Sequence, residues 1–246
     1  MMNITSVLGA ILGGGGPALL WLWFWLREDR KHPEPRKLIA LAFLGGMVAV
    51  AIVIPLEQWA AGFIQIHQLA LTQALKATAE TLTYFAWSAI EEVVKFGMAA
   101  ALVLWRRDDD EPIDPIVYMV VVALGFAAAE NALFLLSPLS GTTLSQTVIT
   151  GDYRFVGATL LHVLASAVIG VSMAISFYKK RSVRIRYVAV GVILSVCLHG
   201  LFNFLIMNTA PENMVRTFSF VWAGLIALLA LLEFIKRIPV RRSMIK

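Results

Sequence analysis

The sequence has one cysteine, Cys197, in 246 residues. A single thiol excludes an intramolecular disulfide and a zinc cluster built on thiolates. Charge is also scarce: Asp, Glu, Lys and Arg make up 15% of residues against 59% hydrophobic, and the mean hydropathy is +0.77. No stretch between the apolar runs is long enough for a separate soluble unit, so one domain over residues 1–246 is expected. There is no repeat of solenoid length. Basic residues form no stripe interleaved with aromatics, which argues against nucleic acid despite a net charge of +5. The first residues lack both a basic cluster and a small-residue cleavage site, so the first apolar run is expected to be a retained helix and not a removable signal peptide.

What fills the chain is a series of apolar runs of about 20 residues, the length that crosses a bilayer as an α-helix. The expected fold is therefore all-α, a polytopic membrane helix bundle. Seven spans are expected, at residues 5–26, 38–60, 82–105, 115–136, 153–178, 187–207 and 217–235. The stretch from Phe63 to Thr81 mixes Ile64, Ile66 and Leu75 with His67, Gln73 and Lys76, a pattern suited to an amphipathic helix on the outer surface. Of the 21 Lys and Arg residues, 17 fall on one side of this threading, Lys76, Arg154 and Arg216 fall on the other, and Lys95 lies within a span. Because cationic loops stay in the cytoplasm, this bias predicts a multi-pass protein of the inner (plasma) membrane with its N-terminus outside and its C-terminus inside. Trp21, Trp23 and Trp25 ahead of Arg27 read as an aromatic belt at the inner interface. Gly13 to Gly16 read as a site of close helix packing.

Four spans carry residues that are costly in lipid: Glu91, Glu92 and Lys95; Glu130 and Asn131; His162; and His199 with Asn203. The host helices alternate in direction, yet a rise of about 1.5 Å per residue places Glu91, Glu130, His162 and His199 all about 9 to 14 Å below the outer surface. They can share one plane. Lys95 lies one turn from both Glu91 and Glu92, whereas the two glutamates diverge by about 100° around the helix, so different duties are expected of them. His162 shares a face with Ser166, and His199 with Asn203.

Two histidines and several carboxylates in a partly dry cavity suit a catalytic zinc site, which commonly takes three protein ligands and leaves a fourth position for water. His162, His199 and Glu130 form one such set. Glu91 then serves as the general base that moves the water proton to the leaving amine, and Asn203 donates to the developing oxyanion. Glu92 pairs with Lys95 to neutralise buried charge. The reaction so inferred is hydrolysis of an amide bond.

Glu91-Glu92-Val93-Val94-Lys95 resembles the EExxK motif of the PrsW family of intramembrane proteases. Gly125-Phe126-Ala127-Ala128-Ala129-Glu130-Asn131 is similar to its GFxxxEN element, Arg154 followed by His162 to its third conserved helix, and His199-Gly200-Leu201-Phe202-Asn203 to its closing HxxxN element. The loop from Asp29 to Pro35 resembles the connection after the family's first helix. The resemblance implies membership of the superfamily that includes the type II CAAX prenyl endopeptidases and bacteriocin-immunity membrane proteins. It also implies proteolysis of a membrane-anchored protein, with an anti-sigma factor as the example, by a metal-dependent or a glutamate-only route.

Blander readings stand beside these. Asn131 and Asn203 also suit interhelical hydrogen-bond glue, and Arg154 suits an interface anchor as well as a contact to substrate or to a ligand. Glu57, His32 and His67 read as surface residues outside the shared plane, and Trp87, Phe96 and Phe134 as packing against lipid or neighbouring helices. A noncatalytic immunity or scaffold protein and a proton-coupled transporter remain as alternative functions. Nothing in the sequence specifies an oligomeric state.

Overall fold

The computed structural model describes residues 4–28, 33–68, 73–106, 108–136, 144–208 and 214–238, and the side chains of most of these. Seven α-helices follow one another: α1 (Ile4–Glu28), α2 (Arg36–Gln68), α3 (Gln73–Leu102), α4 (Asp114–Leu136), α5 (Leu144–Ile175), α6 (Arg181–Asn208) and α7 (Met214–Ile235). Their order and number match the seven expected spans. By length and composition, six are apolar enough to cross a membrane. The exception is α3, which is 30 residues long but carries Glu91, Glu92 and Lys95 in its interior. These three side chains are buried against the bundle, so the charge lowers the helix's hydropathy without facing lipid.

The expected amphipathic helix between Phe63 and Thr81 does not form as an element of its own. Helix α2 continues to Gln68 and α3 begins at Gln73, so the mixed pattern belongs to two helix ends. The side chain of His67 lies outside the described residues, as does residue His32.

Helix α4 is apolar on all faces, which suits a helix surrounded by others. Every residue from Val120 to Leu124 is fully buried, with α1, α2 and α5 packed around it. Helix α3 packs against α2 and α6, and α7 packs mainly on α5. Where α2 crosses α4, a side chain on Gly46 would strike the backbone at Val122 and Phe126, and one on Gly125 would strike the backbone of Phe43. Small residues let membrane helices approach this closely. The glycine run of α1 is used in part: Gly13 and Gly14 meet α4, while Gly15 and Gly16 face open space.

The ends of α4 and α2 are tied together. Asp114 accepts hydrogen bonds from the backbone N–H groups of Asp110 (2.8 Å) and Glu111 (2.6 Å), and Pro115 sits in the first turn, where its missing N–H costs nothing. One turn on, the Tyr118 hydroxyl donates to Glu34. The tryptophan belt needs one correction. Trp23 is exposed with the Arg27 guanidinium 4.3 Å above its ring, but Trp25 is buried in the core.

Candidate active site

The inward face of α3 presents Ser88, Glu91, Glu92 and Lys95 at helical spacing, all buried. The Lys95 ammonium donates to Glu92 Oε1 at 2.5 Å, lies 3.5 Å from Glu91 Oε2, and sits 4.5 Å over the ring of Phe126 from α4. A lysine with no exposure is tolerable only with such partners.

Glu92 is saturated. Oε1 also accepts from His199 Nδ1 (2.8 Å), and Oε2 accepts from the hydroxyls of Ser166 (2.8 Å) and Ser195 (3.1 Å). Its carboxylate therefore ties α3 to α5 and α6. With the proton of His199 on Nδ1, the lone pair on Nε2 points away from Glu92, and that atom lies 3.8 Å from Glu91 Oε2.

His162 is held from both sides. Nδ1 accepts from Lys95 (3.0 Å), which places the ring proton on Nε2, and Nε2 donates to Glu130 Oε2 (2.8 Å). Nδ1 also lies 3.6 Å from Glu91 Oε2, and the two imidazoles meet edge to face with centroids 5.1 Å apart. Glu91 Oε2 is buried and has no hydrogen-bond partner.

Glu91, Glu92, His162 and His199 each place one ligand atom within 4.8 Å of the others, a group that can hold a metal ion. Donor atoms around a tetrahedral ion with bonds of about 2.1 Å stand about 3.4 Å apart. The separations from Glu91 Oε2 to the two imidazole nitrogens are close to that, and this oxygen, which has no hydrogen bond and meets the Lys95 ammonium only at 3.5 Å, can take a closer cation. These residues fit a divalent metal. Glu130 is not one of the four: it binds the far nitrogen of His162, and its side chain is 43% exposed.

A cavity of about 240 Å³ opens beside this cluster, lined among others by Glu91, Glu130, His162, His199 and Asn203. The Asn203 amide donates to Ser88 Oγ at 3.3 Å while bordering the cavity. Asn131 also reaches the cavity, but its amide donates to Thr159 Oγ1 at 3.1 Å, which joins α4 to α5. The Arg154 side chain lies outside the described residues.

One residue sits differently from expectation: Glu57 lines the cavity from α2 and is only partly exposed, beside Trp87 and Phe134. The Trp87 indole donates to the Glu57 carbonyl at 3.3 Å. Glu57 looks superficial when the span is ended at residue 60, whereas α2 runs two turns further and leaves it at the depth of the site. Ser88 and Ser195 had a readable signal, since each stands one turn from a site residue on the same face.

Over residues 34–232 the chain matches the family described as PrsW family intramembrane metalloprotease. The chain belongs to that family. Protease PrsW of Geobacillus kaustophilus is 30% identical over 200 residues, covering 80% of this chain and 79% of that protein. Protease PrsW of Clostridioides difficile is 28% identical over 212 residues, covering 84% of this chain and 81% of its own, and that of Bacillus subtilis is 27% identical over 211 residues, covering 84% and 86%. No solved structure matches. The match spans all four motifs from Glu91 to Asn203, and the family is one of enzymes, which favours a protease over an immunity protein or a transporter.

Proposed function

We propose that this protein hydrolyses a peptide bond of a membrane-anchored protein, an anti-sigma factor being one such substrate, at the cavity beside Glu91, and that it uses a bound zinc ion. The convergence of Glu91 Oε2 with His162 Nδ1 and His199 Nε2 at 3.6 and 3.8 Å carries this reading. The three side chains are the proposed ligands, a two-histidine, one-carboxylate set, and the Lys95 ammonium, which bonds His162 Nδ1 in this structure, would have to leave that lone pair and keep its bond to Glu92 when the metal binds. When bound, the metal supplies Lewis acidity toward the scissile carbonyl and a water molecule.

The distances favour exchanging the duties that spacing alone suggests for two acids. Glu91 lies with both rings, whereas the partly exposed Glu130 faces the cavity and has a free oxygen to act as general base. Glu130 takes the proton of the water as its oxygen attacks the carbonyl carbon. The C–N bond then breaks, and Glu130 returns that proton to the leaving nitrogen. Asn203 stabilises charge on the carbonyl oxygen, Glu92 holds the His199 tautomer, and Lys95 offsets the negative charge of the cluster.

Metal analysis and cleavage assays on the purified full chain test this assignment. Wild type should carry about one zinc per chain and lose activity on chelation. Glu91→Gln should lose both metal and activity, whereas Glu130→Gln should keep the metal and lose activity by about 100-fold or more. Full metal content in Glu91→Gln with metal lost from Glu130→Gln would restore the opposite assignment. A second reading rests on Lys95, whose ammonium already bonds His162 Nδ1. In that reading Glu91 activates water without a metal, and chelation leaves activity intact.

We also infer that the N-terminus is outside and the C-terminus cytoplasmic, on the charge bias of 17 against three basic residues. A reporter that fluoresces only in the cytoplasm should be bright when fused to the C-terminus; a dark fusion of full-length protein reverses the orientation.

A further inference from the structure

A second cavity, of about 610 Å³, lies between the far ends of α3 and α5 and the start of α6. Counting from His199 to Arg184, it stands about 20 Å along the helix axis from the catalytic cluster. One part of its wall is cationic, formed by Lys179, Arg181 and Arg184, and the other is apolar, with Phe96, Met173 and Val188. Among the described residues no acidic side chain lines it. The buried acid Asp109 is near enough for its charge to interact with Arg184, and the Phe177 ring lies 5.6 Å from the guanidinium.

The rim is built with some backbone strain. Trp105 adopts φ 61°, a left-handed conformation uncommon for a bulky residue. It is held there because its N–H donates to Asp109 Oδ2 at 2.8 Å and its ring packs edge-on against Phe96 at 6.3 Å. The result is an indole that lines the cavity while 58% exposed, as does Ile185, 59% exposed. An indole beside cations is the composition of a membrane interface.

We propose that this cavity binds an anionic glycerophospholipid. The phosphate lies among Lys179, Arg181 and Arg184, and the acyl chains lie against Phe96 and Val188. A soluble phosphate would satisfy the cations but leave the apolar wall and the exposed Ile185 uncovered. A zwitterionic lipid would satisfy that wall but bring its own cation to a site that already has three.

The test reconstitutes the full chain in vesicles of mixed phosphatidylglycerol and phosphatidylcholine and measures, by native mass spectrometry, the lipid retained after gentle extraction. Wild type should retain phosphatidylglycerol well above its share in the vesicle. The variant K179Q/R181Q/R184Q should lose that enrichment, by about fivefold for each charge removed. Val188→Trp, which fills the apolar part and leaves every charge, should lose it too. K180Q/R186Q removes two charges of the same cytoplasmic-side cluster that do not line the cavity, and should behave as wild type. Three results would overturn the proposal: equal enrichment in wild type and Val188→Trp, equal loss in K180Q/R186Q, or displacement of the lipid by glycerol phosphate at matched concentration. If the triple variant does not fold, the other two variants decide the matter.

Discussion

Two adjacent glutamates illustrate how little a residue's type says about its duty. Glu91 and Glu92 are chemically identical neighbours, yet the 100° between them gives Glu92 four hydrogen-bond donors and leaves Glu91 Oε2 with none. Glu92→Gln would replace an acceptor of Lys95 and His199 with a group that neutralises neither, leaving the buried ammonium with only Glu91, at 3.5 Å, as counter-charge. That should cost about 3–5 kcal/mol and appear as a large fall in thermal stability in detergent. Glu91→Gln should cost far less, because no hydrogen bond to Oε2 is lost. Similar stability losses in the two variants would show that Glu92 is not the anchor. The divergence of duties was legible from spacing, but which glutamate had which was not, since the answer depends on Ser166, Ser195 and His199 from other helices.

At the scale of the element, the turn between α3 and α4 combines strain and burial. Asp109 accepts from the Trp105 N–H through one oxygen, while the other is buried without a partner. Burial pushes its carboxyl above the ordinary range, opposed by the Trp105 N–H and the Arg184 charge. A carboxyl raised in the folded state contributes stability that is fully present below its unfolded pKa and is lost as pH rises through the folded value. Asp109→Asn does not titrate. The variant should therefore gain stability relative to wild type between about pH 4 and pH 7, measured as the difference in melting temperature at the two ends; a constant difference would show that Asp109 ionises as freely folded as unfolded. Helix limits were readable where the apolar run ends sharply, as in α4, expected over residues 115–136 and found from Asp114 to Leu136. They were not readable between Phe63 and Thr81, where two helix ends meet with the mixed composition of a surface helix.

For the whole molecule, the seven-helix order and the four site-bearing helices were legible because lipid imposes two strong rules: about 20 apolar residues per crossing, and no wasted charge. Depth counting brought Glu91, Glu130, His162 and His199 near one level, and the bundle joins them through His162 and Glu91. Counting could not supply rotation about each helix axis. Glu57 was missed for that reason as well as for the underestimated length of α2, and Trp25 was assigned to a belt when it faces the core. Helix α7 contributes Phe218, Val221, Leu225 and Leu228 to the core but lines none of the catalytic cavity among the described residues.

The burial of the site residues bears on what can reach them. In an α-helix about 10 Å wide every interior peptide group is hydrogen-bonded and ringed by side chains, whereas Glu91, His162 and His199 are buried at the wall of the cavity. A substrate that crosses the bilayer as a helix must therefore surrender at least one turn before its peptide bond meets the catalytic groups. Local unwinding in lipid exposes amide groups that only this protein's polar residues can satisfy. The sequence that is cut should accordingly be chosen less by side-chain pockets than by helical weakness. Placing Gly or Pro within one turn of the scissile bond should raise the cleavage rate, and replacing native helix breakers with Leu should lower it, in reconstituted assays at matched substrate density. Rates indifferent to both changes would mean that the substrate arrives already extended.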